Sequence, residues 1–166
     1  MTPALRIGHG FDVHPFVAGG DEGAAGRVLT LGGVAFPGET PLRGHSDADA
    51  VAHAAADALL GAAGLGDLGQ HFPDTDPEWA GADSLVLLAE VTRRVLRAGW
   101  APVNVDCTVV AERPKLASQR DAMQANLSGV VGAPVTVKAT RAEGLGAIGR
   151  VEGIACFAVA LLAEAL

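Results

Sequence analysis

The stretch of residues 44–77, GHSDADAVAHAAADALLGAAGLGDLGQHFPDTDP, decides how the chain is organised. Its Ala- and Leu-rich middle predicts a helix that begins near residues 47–49 and ends near residues 61–64. Side chains of the kinds that bind metals or move protons recur in it at four-residue steps: His45, Asp49, His53 and Asp57. Residues four apart lie on one face of an α-helix, so at least the last three should form a polar stripe.

A solvated helix face is the alternative interpretation of this stripe. Such a face normally carries Lys, Glu, Gln or Arg, and residues 48–63 contain none of these. The pattern therefore favours a functional site.

Composition and charge limit the possible functions. The chain has 166 residues, 49% of them hydrophobic and only 4% aromatic, and we expect a single domain over residues 1–166. A net charge of −7 argues against a nucleic-acid binder, although a bound cation would allow an anionic substrate. The apolar content, without a membrane-length apolar run, suggests surface that is hidden in an oligomer. Because no signal peptide is evident and Cys107 and Cys156 lie in apolar runs, we expect a cytoplasmic protein with no membrane contact.

Strands and helices are both predicted along the chain. Strands are predicted at 4–13, 28–36 (a hairpin), 102–111, 135–139 and 151–162, and further helices at 85–98 and 117–131. The run at 151–162 is ambiguous between strand and helix but favours a strand. In the strand at 102–111, one face is expected to carry Val103, Val105, Cys107 and Val109. These elements predict an α+β fold, with a mixed sheet of four to five strands packed with about three helices.

Two segments are predicted to be loops. Residues 17–27 are rich in glycine and have no periodicity. Residues 66–83 are longer and contain several aspartates. This second segment is interpreted either as a mobile loop that closes over a ligand or as an ordinary Asp-rich turn.

A metal site is predicted where the first strand ends. Asp12 and His14 are two residues apart, so their side chains point to the same face of a strand. If the helix packs over this strand end, His53 completes a set of two imidazoles and one carboxylate. Three protein ligands and an open fourth position are typical of a catalytic zinc. Asp49 is a candidate for orienting one of the imidazoles.

Several motifs, in collinear order over nearly the whole chain, resemble one known family. They are GHGFDVHPF at 8–16, the block at 45–77 with its HSDAD start and FPDTDP end, GADS at 81–84, NVDCTVVAERPK at 104–115 and VKAT at 137–140. Together they resemble the 2-C-methyl-D-erythritol 2,4-cyclodiphosphate synthase family. The resemblance implies a homotrimer with active sites at subunit interfaces.

The resemblance also implies a reaction. Members of the family convert 4-diphosphocytidyl-2-C-methyl-D-erythritol 2-phosphate to 2-C-methyl-D-erythritol 2,4-cyclodiphosphate and CMP, in non-mevalonate isoprenoid precursor biosynthesis. Such an enzyme is a phosphorus–oxygen lyase that works by metal-assisted intramolecular phosphoryl transfer. No side-chain nucleophile is required, because the 2-phosphate of the substrate attacks the β-phosphorus.

Site residues follow from the resemblance. It implies that zinc is held by Asp12, His14 and His53, and that Glu143 binds a second divalent ion, magnesium or manganese. His45 matches a transition-state stabiliser, and Arg141 stands at a position grouped with that histidine in catalysis. Substrate-binding positions are implied at Ser46, Asp67, Leu68, Gly69, Phe72, Pro73, Asp74, Thr75, Asp76, Ala111, Lys115, Leu116, Ala139, Thr140 and Arg150, of which Ala111, Lys115 and Leu116 match a cytidine pocket supplied by a neighbouring subunit.

The last loop, ATRAEGLGAIGRVEG at 139–153, departs from the family pattern. Arg141 replaces a threonine that contacts phosphate; an arginine either donates charged hydrogen bonds there or is too large for the position. Ala147 and Val151 replace an aromatic residue and a glycine next to the central channel of the trimer. Two other functions therefore remain open: a zinc-dependent hydrolase, and a nucleotide-binding trimer without catalysis.

Overall fold

The computed structural model describes residues 4–18 and 26–165. Its strands are β1 (Leu5–Pro15), β2 (Leu29–Leu31), β3 (Val34–Phe36), β4 (Trp100–Val110), β5 (Val135–Thr140) and β6 (Gly153–Glu164). The main sheet has the order β1-β6-β4-β5, and β2 and β3 form a separate two-stranded sheet. In the main sheet β6 pairs antiparallel with both β1 and β4, whereas β4 and β5 are parallel. The predicted mixed sheet is confirmed, with four strands.

Within the described residues, three long α-helices and two short ones complete the fold: α1 (Ala50–Ala63), α2 (Leu68–His71), α3 (Ser84–Arg97), α4 (Arg120–Val131) and α5 (Gly146–Gly149). α1 packs against β1, β6 and β4, and α4 packs against β5. α3 packs against α1, α4 and β4. The α+β class and the three main helices are therefore as predicted.

Helix α1 lies very close to β1 because both elements carry small residues at their contact. A Cβ atom added to Gly8 would be 2.0 Å from the carbonyl oxygen of Ala58, and one added to Gly10 would be 2.0 Å from that of Ala54. Gly8 and Gly10 lie on the same face of β1 as Asp12 and His14. The close packing of α1 thus brings His53 to the end of β1.

The start of α1 differs from the prediction. The helix begins at Ala50, and Asp49 is its N-cap residue with extended backbone angles. His45 therefore precedes the helix, and the polar stripe consists of Asp49, His53 and Asp57, the three residues that the spacing predicted. Ala48 has a φ of 61°, a left-handed conformation that turns the chain just before the cap.

Other predicted elements are confirmed with altered limits. The third long helix begins at Arg120, three residues after the predicted 117, and the ambiguous run at 151–162 is strand β6. Val103 does not share the buried face of β4, because a β-bulge between Pro102 and Asn104 shifts the register. Residues 66–83 contain α2 and a 3₁₀ helix at Pro77–Trp79. Of the predicted loop at 17–27, residues 19–25 lie outside the described residues.

The face of the main sheet that points away from the helices exposes apolar side chains. It carries Leu5, Ile7, Phe11 and Val13 on β1 and Phe157 and Val159 on β6. Ile7 is 74% exposed, and the rings of Phe11 and Phe157 pack with centroids 4.9 Å apart. Such a contiguous apolar face is typical of a surface that meets another chain. No helix within residues 4–18 and 26–165 has the length and hydropathy to cross a membrane.

Candidate active site

Asp12, His14 and His53 form one compact group, as the sequence predicts. Asp12 Oδ2 lies 3.0 Å from His14 Nε2 and 3.2 Å from His53 Nδ1, and these two nitrogens are 3.3 Å apart. Ligand atoms about 2.0–2.1 Å from a tetrahedral zinc are separated by roughly 3.3 Å, which is the edge of that tetrahedron. Among the described residues, this is the group of His, Cys, Asp or Glu side chains with metal-site spacing.

The imidazole of His14 is oriented by a backbone carbonyl. Its Nδ1 atom lies 2.9 Å from the carbonyl oxygen of Arg43. Because a carbonyl oxygen only accepts, Nδ1 carries the proton and Nε2 presents its lone pair to the group. Burial lowers the pKa of His14, but the neighbouring Asp12 carboxylate, the Arg43 carbonyl and the charge of Asp49 together outweigh this effect, and the pKa is raised. For Asp12, burial is likewise outweighed by the two histidines, and its pKa is lowered.

The imidazole of His53 is oriented by hydroxyl groups. Its Nε2 atom lies 2.8 Å from Ser84 Oγ and 3.1 Å from Ser46 Oγ, while Nδ1 faces Asp12. Ser84 Oγ in turn donates a short hydrogen bond to Asp47 Oδ1. His53 is 9% exposed and Ser84 is 1% exposed. The contacts of His53 Nε2 with the two serine hydroxyls are therefore shielded from water.

Asp49 does not orient an imidazole, which corrects the alternative drawn from the sequence. Its carboxylate is fully buried and accepts hydrogen bonds from the backbone N–H groups of Gly32, Gly33, Val51 and Ala52, at 2.7–3.1 Å. Burial raises the pKa of Asp49, although these N–H groups act in the opposite direction. Asp49 thus caps α1 and ties it to the turn between β2 and β3.

The metal-type group opens into a cavity of about 550 Å³. Its lining includes most of the predicted residues of the central stretch: His45, Ser46, Leu68, Gly69, Phe72, Pro73 and Asp74. Asp67, Thr75 and Asp76 do not line it. Asp67 caps α2 through the Gln70 N–H at 2.9 Å, and the carboxylate of Asp76 accepts from the Glu78 N–H at 3.0 Å. The carbonyl oxygen of Asp76 lies 2.9 Å from His45 Nε2 and so orients that ring.

Asp57 has a supporting role at the floor of the same cavity. Its carboxylate accepts a hydrogen bond of 2.7 Å from the Leu68 N–H. This contact holds the start of α2, where Leu68 and Gly69 line the cavity. Burial raises the pKa of Asp57, the Leu68 N–H opposes this effect, and Asp67 and Asp12 add to it.

The remaining predicted residues lie away from the cavity beside His53, near the ends of β4 and β5 and in the segment after β5. Lys115, Leu116 and Ala139 line a separate cavity of about 270 Å³, and Ala111 joins the same strand end through a 3.1 Å bond from its N–H to the Thr140 carbonyl. The loop that follows exposes Thr140, Arg141, Glu143 and Arg150. None of these lines the cavity beside His53. Within one chain, the predicted site residues thus fall into two groups.

The guanidinium group of Arg141 forms an ion pair with Glu112 of the same chain. Its Nε and NH2 atoms each lie 2.9 Å from Glu112 Oε2. The hydrogen bond from Arg141 lowers the pKa of Glu112, and the same pair raises the pKa of Arg141. Glu143, two residues on, has a φ of 54° and lies outside the metal-type group.

Two residues with a clear place in the site, Asp47 and Ser84, are absent from the sequence-based set. Both lie in motifs that the sequence displays, HSDAD and GADS. The four-residue spacing of Asp49 and His53 predicts that Asp49 orients the imidazole, whereas Asp47 is the carboxylate that acts on it, through Ser84. The position of Ser84 beside His53 depends on how α3 packs against α1, which spacing along the chain does not reveal.

Comparison with known proteins agrees with this geometry. A model of the YgbB family matches residues 5–163. The chain belongs to the YgbB family. It is 54% identical, over 99% of both chains, to the 2-C-methyl-D-erythritol 2,4-cyclodiphosphate synthase of Bordetella petrii. The family predicted from the motifs, with its cyclodiphosphate synthase activity, is thereby confirmed.

Solved structures of YgbB-family proteins share the fold. The bifunctional IspDF of Campylobacter jejuni superimposes with a TM-score of 0.89 at 39% identity, over 98% of this chain and 43% of that one. A CDP complex of IspF from Plasmodium falciparum gives a TM-score of 0.82 at 31% identity, over the full length of both chains. The second of these relatives was solved with CDP.

Proposed function

We propose that this YgbB-family protein converts 4-diphosphocytidyl-2-C-methyl-D-erythritol 2-phosphate to 2-C-methyl-D-erythritol 2,4-cyclodiphosphate and CMP. The observation that carries the proposal is the Asp12–His14–His53 group at the mouth of a cavity lined by His45 and Ser46. Identity of 54% to a named synthase supports the choice of substrate. The expected role is in non-mevalonate isoprenoid precursor biosynthesis, in the cytoplasm.

Zinc is the metal that fits the three side chains. Two imidazole nitrogens and one carboxylate oxygen, at tetrahedral spacing and facing a cavity, match the donor set of a catalytic zinc with an open position. Both histidines have their second nitrogen engaged, which leaves the correct lone pairs for the metal. A bound zinc would neutralise negative charge on a phosphoryl oxygen as that charge develops.

The chain's own residues would hold the substrate in line for attack. A 2-phosphate oxygen forms a bond to the β-phosphorus, the bond from that phosphorus to the bridging oxygen breaks, and CMP leaves with this oxygen. No water is consumed. His45 lines the cavity, and its Nε2 donates to the Asp76 carbonyl, which fixes the ring orientation. As the imidazolium it would also donate a hydrogen bond from Nδ1 to a phosphate oxygen.

The methylerythritol part of the substrate is assigned to the segment held by Asp57. Its predicted contacts are Asp67, Leu68 and Gly69, and the loop that covers them is Phe72, Pro73, Asp74, Thr75 and Asp76. Phe72 packs edge-on to Trp79 with ring centroids 5.0 Å apart, and Arg94 stacks over its other side at 5.1 Å. These contacts support an ordered base for the loop, from which Asp74 reaches the cavity.

The cytidine and its phosphates are assigned to the second group of residues, supplied by a neighbouring subunit of a homotrimer. This group comprises Ala111, Lys115, Leu116, Ala139, Thr140, Arg141 and Arg150, with Glu143 as ligand of a second divalent ion, magnesium or manganese. Two observations support the assembly. Three members of the second group, Lys115, Leu116 and Ala139, line a cavity other than that of His53. The sheet also exposes an apolar face of the kind that oligomers bury.

The test is phosphorus NMR of the protein incubated with this substrate, zinc and magnesium. We expect a cyclic diphosphate and one CMP per turnover, with both lost in Asp12→Ala. The matched control is Asp106→Ala, which removes a carboxylate on β4 that pairs with Lys138. CMP together with a linear 2,4-bisphosphate, formed by attack of water on the β-phosphorus, would instead identify a hydrolase. Binding of CDP without turnover would identify a nucleotide-binding trimer.

A further inference from the structure

We propose that Asp47 and Ser84 are positioning residues that fix the tautomer and ring orientation of His53 for metal binding. This inference rests on the proposed zinc site and concerns residues that do not touch the metal themselves. It is based on a continuous chain of hydrogen bonds that runs from the Asp47 carboxylate through the Ser84 hydroxyl to His53 Nε2.

The direction of each hydrogen bond follows from the chemistry of the groups. A carboxylate only accepts, so the single hydroxyl proton of Ser84 points to Asp47 Oδ1. Ser84 Oγ must then accept from His53 Nε2, which is 2.8 Å away. His53 is thereby held with a proton on Nε2, which leaves Nδ1 as the nitrogen that can bind the metal. This is the nitrogen that lies 3.2 Å from Asp12 Oδ2 and 3.3 Å from His14 Nε2.

Two further contacts hold the chain of hydrogen bonds in place. Asp47 Oδ2 accepts from the Ser84 N–H at 3.2 Å, so the carboxylate grips both the backbone and the side chain of one residue. The N–H of Asp47 donates to the Ala82 carbonyl at 3.0 Å. The left-handed Ala48 separates Asp47 from Asp49, so that one carboxylate reaches α3 while the other caps α1.

The hydroxyl group of Ser46 also lies near His53 Nε2, but it orients the ring less strongly than Ser84 does. Ser46 Oγ lies 3.1 Å from His53 Nε2, but it also accepts from the Ala48 N–H at 3.2 Å. It has no carboxylate partner that would fix the direction of its proton. We therefore expect Ser84, and not Ser46, to determine the tautomer. Partners of this kind behind a metal ligand typically change metal affinity 10- to 100-fold when they are removed.

Two measurements on the full-length protein test the inference. The first is the zinc dissociation constant, from competition with a chromophoric chelator, in the original protein, Ser84→Ala, Asp47→Asn and Ser46→Ala. We expect about 10-fold or greater weakening for Ser84→Ala, a smaller loss for Asp47→Asn, and the smallest for Ser46→Ala. The second is the nitrogen-15 NMR signature of His53 without metal. Without metal, Nδ1 faces the Asp12 carboxylate and can also donate to it, so the readout is the Nε2 atom alone. Nε2 should be protonated in the original protein and only partly protonated in Ser84→Ala.

The matched control is Asp83→Asn. Asp83 caps the same helix, α3, through the Leu85 N–H at 2.8 Å but does not contact His53. If Asp83→Asn weakens zinc binding as much as Ser84→Ala does, the effect comes from α3 stability and the inference is wrong. It is also wrong if Ser84→Ala keeps the original zinc affinity and tautomer. Failure of the original protein to bind one zinc per chain would overturn the zinc site itself, and the inference with it.

Discussion

Gly10 on β1 and Ala54 on α1 lie closer than any side chain on the strand would permit. A Cβ atom on Gly10 would be 2.0 Å from the Ala54 carbonyl oxygen and 2.6 Å from the Ala58 nitrogen. Asp12 follows Gly10 by two residues, and His53 directly precedes Ala54. The distance between the strand and the helix at this contact therefore sets the geometry of the metal-type group.

The replacement Gly10→Ala is expected to lower the free energy of unfolding by about 3 kcal/mol or more, because the atoms it meets are backbone atoms that cannot rotate away. Zinc affinity should fall as well. Urea unfolding and a zinc competition assay measure the two effects. The control Gly129→Ala has nothing within 4 Å of its new Cβ and should stabilise α4 by about 0.5–1 kcal/mol. Equal stability of the two variants would contradict the close packing.

Asp49 is expected to act on stability and not on catalysis. In Asp49→Asn one oxygen becomes an NH₂ group, so Gly33 or Gly32 loses its acceptor inside the protein. The expected loss in the free energy of unfolding is about 2 kcal/mol. Urea unfolding measures it, and the folded variant should still bind one zinc. Loss of zinc binding without loss of stability would instead indicate that Asp49 orients an imidazole, as its spacing from His53 suggests.

The carboxylate of Asp57 is expected to make the stability of the folded protein depend on pH in one direction. Burial raises its pKa in the folded protein above that in the unfolded chain. Its contribution to stability is then fully present below the unfolded pKa and is lost as the pH rises through the folded pKa. In metal-free protein, Asp57→Asn should therefore raise the melting temperature at pH 7, with a gain that shrinks toward pH 4.

Melting curves over this pH range test the Asp57 prediction, because Asn can still accept from the Leu68 N–H. The control is Asp121→Asn, whose carboxylate is 95% exposed and should give a nearly constant difference. A gain for Asp57→Asn that does not vary with pH would contradict the raised pKa.

Val151 is expected to be a source of strain. It has a φ of 63°, in the left-handed region where a β-branched residue is strongly disfavoured. Val151→Gly should remove about 1–2 kcal/mol of strain and cost about 0.5–1 kcal/mol in the unfolded chain, which leaves a net stabilisation. Thermal unfolding measures the net effect. Val151→Ala serves as the control and should stabilise less, since alanine keeps most of the strain.

Arg141 is expected to contact phosphate while Glu112 holds its guanidinium group. Arg141→Thr should then lower kcat/KM about tenfold, because a charged hydrogen bond is lost. Glu112→Gln keeps the arginine but loosens it, so a smaller decrease is expected. Steady-state kinetics measures both effects. An increase in kcat/KM for Arg141→Thr would mean that the arginine obstructs the site.

The sequence was sufficient for the fold class and for the group of Asp12, His14 and His53, which could hold a metal ion. Alternation with period two located the main strands, and the spacing of Asp12 and His14 required both side chains to face the same side of β1. The motifs identified the YgbB family, and with it the reaction. Each of these features depends on neighbouring residues or on the order of motifs along the chain, and can be recognised without knowing how the helices and strands pack.

Contacts between distant segments could not be obtained in this way. Asp49 and Asp47 are equivalent in the sequence, but the left-handed Ala48 sends one carboxylate to the β2–β3 turn and the other to Ser84. The bulge at Val103 likewise depends on the pairing of β4 with β6. The sequence by itself determined which side chains are available for chemistry. Only the tertiary structure decided which of them meet, because hydrogen-bond partners that lie far apart in the sequence, from 16 residues for Asp49 and Gly33 to 37 for Asp47 and Ser84, are chosen by the packing of helices and strands.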